Sequence, residues 1–398
     1  MYNQVQSGVK PITNKKSDCL FVIGGIWDLL LWHAHFQSRQ QPFCGDVAVF
    51  SKAFAEDELR FIQGVCEKSG LSSIQYRDEN DLLSRIESND YRNLYLSHLS
   101  DAFSGKLLRV IGHLYVSVLF EGLAAYVPPR AIHSLLSSVD CYVFYGESLP
   151  LPIYIKDSAV VRIESTVIRD SVDYFYELLK LGKEFDLEYA QADLLVVGQH
   201  FYRHKLIQWE DELSIYSNAI TESAKEGASL VLWKEHPRST RPFYTDLSSH
   251  GICRVVEASH NKLIPTEIYA SKMKPSVNVK GICSNTLFNL RDLFGFNVET
   301  LLAEELLHRF NYGKIERMAL INFWGFAYLQ RTASFTPQVL ATAFGFGVES
   351  INASIVSNDS HAKVKARFPR SKPNAFIRFL RRRANFFMKY VGLEIVYR

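Results

Sequence analysis

The chain has little with which to cross-link itself, hold a metal or cross a membrane. Its six cysteines, Cys19, Cys44, Cys66, Cys141, Cys253 and Cys283, stand singly in 398 residues, with no Cys-x-x-Cys and no His/Cys ligand spacing. That excludes a disulfide framework and a structural zinc site, and predicts buried, reduced thiols. No apolar run reaches the roughly 18 residues that span a bilayer. The best candidate, Cys19 to Trp32, is interrupted by Asp28. No small-residue cleavage pattern follows it, as a signal peptide would require, so a cytoplasmic protein is expected. The loop Gly-x-x-x-x-Gly-Lys-[Ser/Thr] is missing, which leaves the bare pair Gly24-Gly25 without the sequence of a phosphate loop. No Asp-x-Asp pair is present to hold a divalent ion, and there is no internal repeat or low-complexity segment.

Net charge is scarce as well, +3 from 45 Lys/Arg and 42 Asp/Glu, but it is unevenly spread. From His361 onward eleven Lys/Arg face a single acid, Glu394, which puts ten positive charges on the tail and leaves minus seven on the first 360 residues. An acidic body excludes a nucleic-acid-binding domain and points to an anionic partner touched by the tail alone. On a helical wheel from Asn374 to Val391, Phe376, Ile377, Phe379, Leu380, Phe386, Phe387, Tyr390 and Val391 gather on one side. Arg378, Arg381, Arg382 and Lys389 take the other, and Arg383 alone intrudes. A basic, Phe-rich amphipathic helix fits an anchor on an anionic membrane surface, at about 1 kcal/mol per basic residue. The alternative is a helix packed on the protein with a solvated basic face.

What the chain does have is apolar residues, 47%, and aromatics, 13%, enough to exclude a disordered or fibrous protein and to build two or three cores. Cys19 to Gly25 reads as a buried strand ending in a tight turn, and Ile26 to about Arg39 as a helix. Strands are then predicted at 46–51, 93–98, 114–120 and 141–145, with a helix at 56–70. After a charged helical stretch, 171–189, a second series starts. It has strands at 193–198, 229–233, 254–257 and 276–282 and helices at 213–226 and 284–294. The alternation predicts two α/β domains with parallel sheets facing a ligand cleft, at 19–185 and 190–330. Residues 1–18 are expected to fray, 331–360 to be helical, and 361–398 to form the basic tail.

Three features follow predicted strands, where such folds place their chemistry. Glu121-Gly122 puts an acid and a permissive glycine at a strand terminus, the position of a general base or of an ordinary turn carboxylate. His236-Pro237, flanked by Lys234 and Arg238, offers an imidazole and positive charge to a leaving phosphate, or is simply a solvated loop histidine. Ser284-Asn285-Thr286 opens a helix, with Ser284 as N-cap and the first-turn amides of Asn285 and Thr286 expected to be free for an anion.

In that order, Phe120-Glu121-Gly122, His236-Pro237 and Ser284-Asn285-Thr286 resemble motifs of the bacterial sialyltransferases, the α-2,8-polysialyltransferase family and its lipooligosaccharide relatives. Those families carry an acidic pair plus Gly, a His-Pro unit and a Ser/Thr pair. Leu194 to Gln199, with Gly198, and Ile264 to Tyr269, with Glu267, add context over residues 19–330. Two departures stand out: Phe120 replaces the first acid, and Asn285 separates the two hydroxyls. The resemblance implies a GT-B architecture of two Rossmann-like domains and an inverting transfer of sialic acid from CMP-sialic acid to a capsule or lipooligosaccharide hydroxyl. It implies Glu121 as base and His236 assisting departure of CMP. Gly198, Pro237, Glu267, Ser284, Asn285 and Thr286 would line the nucleotide site, with Glu267 on the ribose. No metal and no cofactor beyond the donor are implied. The partners would be the CMP-sugar, an oligosaccharide or glycolipid acceptor and, through the tail, the inner face of the cytoplasmic membrane, with no nucleic acid. The same pattern would serve another CMP-activated ulosonic acid (Kdo, legionaminic or pseudaminic acid). Phe120 in place of an acid would suit a non-catalytic glycan-assembly protein. The absence of a Lys/Arg run in the body leans toward single addition over polymerisation.

Overall fold

The computed structural model describes residues 18–97, 113–120, 139–145, 160–180, 184–249, 251–259, 261–282 and 284–301, and two short strands near the C-terminus. Glu121, Gly122 and Cys283 lie outside the described residues, as do 331–360 and the helix expected over 374–391.

The first half begins with β1 (Cys19–Ile23), every residue of which is buried, followed by α1 (Ile26–Ser38). There follow β2 (Asp46–Phe50), α2 (Glu56–Lys68), β3 (Ser72–Tyr76), α3 (Glu79–Glu87) and β4 (Asn93–Leu96). Then come β5 (Tyr115–Phe120), β6 (Cys141–Tyr145) and β7 (Val160–Ile163). These form one parallel sheet in the order β3-β2-β1-β4-β5-β6-β7. Apolar strands with helices on both faces are what a buried parallel sheet demands.

Two helices, α4 (Ser165–Leu179) and α5 (Glu184–Gln191), lead into the second half. The sequence reading ran 171–189 as a single stretch. The break falls at Lys180, which caps α4 in the left-handed region at φ 49. The second sheet is built from β8 (Leu194–Val197), β9 (Leu230–Lys234), β10 (Arg254–Glu257), β11 (Asn278–Gly281) and β12 (Asn297–Thr300). It is again parallel, in the order β10-β9-β8-β11-β12. Its helices are α6 (Trp209–Lys225), the short α7 (Tyr244–Ser248) and α8 (Asn285–Asp292). The expected two-sheet α/β fold is therefore present. In each sheet the strand order reverses beside the first strand, at β1/β4 and at β8/β11, and such reversals open crevices at the carboxyl ends.

The halves share one apolar core. Helix α4 lies against α1 of the first half and against the 3-10 segment Thr266–Lys272 of the second. Polar contacts tie the halves together. Tyr145 donates its hydroxyl to Asn289 Oδ1 at 3.0 Å, Arg169 donates to the Leu293 carbonyl at 2.8 Å, and Lys262 pairs with Glu58 at 2.9 Å.

Of the cysteines, Cys19, Cys44, Cys66, Cys141 and Cys253 form no disulfide. Cys44 is exposed, contrary to the expectation of uniform burial, whereas burial pushes Cys19 and Cys66 up to about 12. Among the described residues no helix is long and apolar enough to cross a membrane. Within the basic tail, β13 (Lys365–Phe368) and β14 (Glu394–Tyr397) pair in parallel.

Candidate active site

A cleft of about 510 Å³ opens between the sheets at the carboxyl ends of β1, β8, β9 and β11. The first half contributes Gly24, Gly25, Ile26, Trp27, Asp28, Phe54 and Ile62. Asp28 sits in the first turn of α1, is 3% exposed, and its Oδ2 accepts the Gly24 amide at 2.5 Å. The carboxylate thus holds the Gly24-Gly25 turn against the helix start, where the helix dipole favours negative charge.

Every described residue predicted for the site reaches this cleft: Gly198, His236, Pro237, Glu267, Ser284, Asn285 and Thr286 all line it. They come from four chain segments, and the fold brings them together. Glu121 and Gly122 lie outside the described residues, but β5 ends at Phe120 beside β4 and runs parallel to β1, so its carboxyl end shares the edge carrying Gly24.

Gly198 has a packing reason to be glycine. A Cβ there would come within 2.6 Å of the Trp233 ring and 3.1 Å of the Lys234 carbonyl. Trp233 is fully buried beneath it, and its indole N–H donates to Glu235 Oε2 at 2.9 Å. Its close approach brings the ends of β8 and β9 together.

The His236-Pro237 turn is held in place by the segment after β8. Phe201–His204 forms a 3-10 turn. From it, the Tyr202 hydroxyl accepts the Arg241 amide at 2.8 Å and Arg203 donates to the Arg238 carbonyl at 2.5 Å. The Arg241 guanidinium stacks 3.3 Å above the Trp209 ring. Beneath, buried Glu212 accepts the Tyr202 amide at 2.9 Å, and burial raises its carboxyl to about 7.

Three imidazoles meet here. His236 is half-buried, and its ring centroid lies 3.8 Å from that of His200, with the planes 32° apart. His200 is 8% exposed and its Nε2 lies 3.0 Å from His204 Nε2. His236 Nδ1 accepts the Arg238 amide at 3.0 Å, so the proton of the neutral ring is on Nε2. Burial, then the neighbouring His200, Arg238, Lys234 and His204, hold His236 well below the usual histidine range. His200 is pushed down to about 3 by burial and by His204, Arg238 and Arg203. Both shifts favour the neutral rings.

On the remaining wall, Glu267 is 2% exposed and its Oε1 accepts the Asn289 amide at 2.7 Å. The Thr286 hydroxyl also bonds this carboxyl, whose pKa is raised by burial. Lys234 is 6% exposed, donates to the Lys262 carbonyl at 2.8 Å, and is lowered to about 8 by burial. Ser284 caps α8 as expected, its Oγ accepting the Thr286 amide at 3.3 Å. That corrects one expectation: the Thr286 amide is engaged by the cap, because a good N-cap consumes the donor an anion would use. Asp28, His200, His204, Glu235 and Asn289 also line the cleft, and the sequence reading assigned none of them. His200 carried a usable signal, since it follows the Gly198-Gln199 strand end much as His236 follows β9. Among the described residues no cluster of His, Cys, Asp and Glu has the geometry to hold a metal ion.

Residues 114–303 match the family model described as alpha-2,8-polysialyltransferase (POLYST). The match agrees with the resemblance carried by the motifs. No curated protein matches the chain. Among solved structures, the chain is similar to UDP-GlcNAc 2-epimerase from Methanocaldococcus jannaschii (10% identity, 73% of this chain and 90% of that one, TM-score 0.46). It is similar also to UDP-GlcNAc 2-epimerase from Neisseria meningitidis bound to UDP-GlcNAc (11%, 71% and 81%, 0.44). A third is MurG from Acinetobacter baumannii (10%, 83% and 90%, 0.42). At such scores these likenesses add nothing to the assignment.

Proposed function

We propose, from the match of residues 114–303 to the alpha-2,8-polysialyltransferase family, that this glycosyltransferase moves sialic acid from CMP-sialic acid to a hydroxyl of a bacterial surface glycan, capsule or lipooligosaccharide, with inversion and without a metal. The observation that carries the reading is the convergence of Gly198, His236-Pro237, Glu267 and Ser284-Asn285-Thr286 on one cleft.

The transition state of such a transfer has oxocarbenium character, so the protein must activate the acceptor and stabilise the departing phosphate. In this reading Glu121, just past β5, takes the acceptor proton from the first-half side. His236 faces the phosphate as a neutral ring and donates Nε2–H to it. Its Nδ1 is occupied by the Arg238 amide, which favours hydrogen bonding over proton delivery from this ring. Lys234 and Arg238 add positive charge. Glu267, oriented by Asn289 and Thr286, keeps acceptor capacity for the ribose hydroxyls. By limiting water, the cleft favours transfer over hydrolysis.

A second part of the proposal concerns the tail, whose ten net positive charges would hold the enzyme at an anionic cytoplasmic leaflet near a lipid-borne acceptor. Removal of residues after 361 should weaken binding to anionic liposomes while CMP binding persists. Equal liposome binding without the tail would refute it.

The test of the main reading is a screen of CMP-activated sugars with mass detection of products. Transfer from CMP-sialic acid that is lost in Glu121→Ala and in His236→Ala supports it. Transfer only from another CMP-ulosonic acid redirects it, and nucleotide binding without turnover on any acceptor refutes it.

A further inference from the structure

We infer that His200, and not His236, carries the proton delivered to the departing phosphate, with His204 as the hydrogen-bond partner that holds its other nitrogen. The inference rests on the nucleotide reading of the cleft and assigns a role within it.

The argument is one of nitrogen accounting. A cationic imidazole must donate from both nitrogens. His236 cannot do so in place, because its Nδ1 already accepts the Arg238 amide at 3.0 Å and a proton there would face another N–H. His200 can. Its Nε2 lies 3.0 Å from His204 Nε2, which accepts when His200 donates. Its Nδ1 is buried without a partner on a ring that is 8% exposed and lines the cleft. An unpaired buried nitrogen costs free energy until something satisfies it, and an anionic oxygen entering the cleft would.

The groups around His200 set the sign of the coupling. Its own turn brings Arg203 and His204, and the loop after β9 brings His236 and Arg238. Lys234, Glu235 and Glu267 line the same cleft from the second half, and Asp28 does so from the first. Burial and the surrounding cations keep the empty site unprotonated, and a bound phosphate reverses that balance by placing negative charge at Nδ1. Donor binding therefore takes up a proton. In the transfer, the acceptor oxygen bonds to the anomeric carbon and its proton goes to the first-half base. The bond from the anomeric carbon to the phosphate oxygen breaks, with its electron pair going to the phosphate. The Nδ1 proton of His200 passes to that phosphate, and after CMP leaves, water entering the cleft returns a proton to Nδ1, while Nε2 keeps its proton on His204.

The test is ring-nitrogen NMR of the full-length protein with 15N-labelled histidine at about pH 6.5, with and without saturating CMP, the signals assigned with His200→Gln and His236→Gln. The expected result is that CMP converts His200 to an imidazolium with two N–H groups while His236 keeps its single proton on Nε2. CMP that binds and leaves His200 neutral overturns the inference but not the nucleotide reading. CMP that perturbs none of the three rings overturns both. In kinetics, kcat of the wild type should fall about tenfold per pH unit above the pKa of the loaded His200. His200→Gln should abolish that limb, at a cost of about 100-fold below it. His236→Gln should keep the limb. Loss of the limb in His236→Gln alone would return the proton to His236.

Discussion

The two walls of the cleft are built on different principles. The first-half wall is mostly apolar, with Ile26, Trp27, Phe54 and Ile62 around a single described carboxylate, Asp28. The second-half wall carries three imidazoles, Lys234, Arg238, Glu235, Glu267 and the capped start of α8. Its polar groups are ordered by other buried polar groups: Glu212 supports Tyr202, Tyr202 holds the loop of Arg241, and Asn289 joins Glu267 to Tyr145. The difference teaches where the charge-handling of this molecule resides. A wall meant to meet an anion needs its donors oriented beforehand, since donors that must reorganise give back much of what they contribute.

The comparison can be broken most sharply by a pair of substitutions. Glu121→Gln and His236→Gln should each lower transfer by about 100-fold or more. Only His236→Gln should also weaken CMP binding, as read by calorimetry. Equal loss of CMP affinity in both variants would mean that the walls do not divide the work.

A smaller effect tests the support under the second wall. Burial raises the Glu212 carboxyl from 4.5 to about 7, so the folded protein keeps a proton that the unfolded chain has released. Stability from this group is then fully present below pH 4.5, declines as pH rises toward about 7, and changes no further above it. The decline amounts to about 3 kcal/mol at most. Thermal melts across that window should show it in the wild type and show it flattened in Glu212→Gln.

Next in size is the joint between the walls. Asn289→Ala leaves the Tyr145 hydroxyl and the Glu267 carboxyl without their shared partner. It should cost about 2 kcal/mol in denaturant unfolding and loosen CMP binding. The smallest effect belongs to the ion pair of Lys262 with Glu58, whose side chains are 35% and 16% exposed. Lys262→Met should change stability by under about 1 kcal/mol, and a larger loss would show that this contact fixes how the halves sit together.

Much of the fold was legible because buried parallel strands are continuous apolar runs. β1, β2, β6, β8 and β10 fall where the sequence puts them, and α1 within a residue. β3, with the sequence Ser72-Ser73-Ile74-Gln75-Tyr76, and β12 escaped notice. Both are edge strands with polar residues, and they lack the burial that writes an apolar run. β7 and the helix α3 were missed as well. On the site, the motifs led to the second wall because each chemical residue follows a strand end. Asp28 was visible only as a break in an apolar stretch, although an acid kept inside such a run is itself a signal. Asn289, in mid-helix, left no mark.

The sequence by itself determined the alternation of strands and helices, the two-sheet architecture and the set of segments whose ends carry chemistry. Local residue patterns dictate these, since burial on both faces and capping act over a few residues. Only the tertiary structure decided what those side chains can do. The proton on His236 is fixed by an amide two residues away in a turn whose shape is set from the 201–204 segment. The pairing of His200 with His236, and the joining of Glu267 to the first half through Asn289, depend on chain segments far apart in sequence. The absence of strong net charge in the chain gave no hint of this. Protonation and hydrogen-bond direction are set by what lies within about 3 Å, and that is a property of the folded chain.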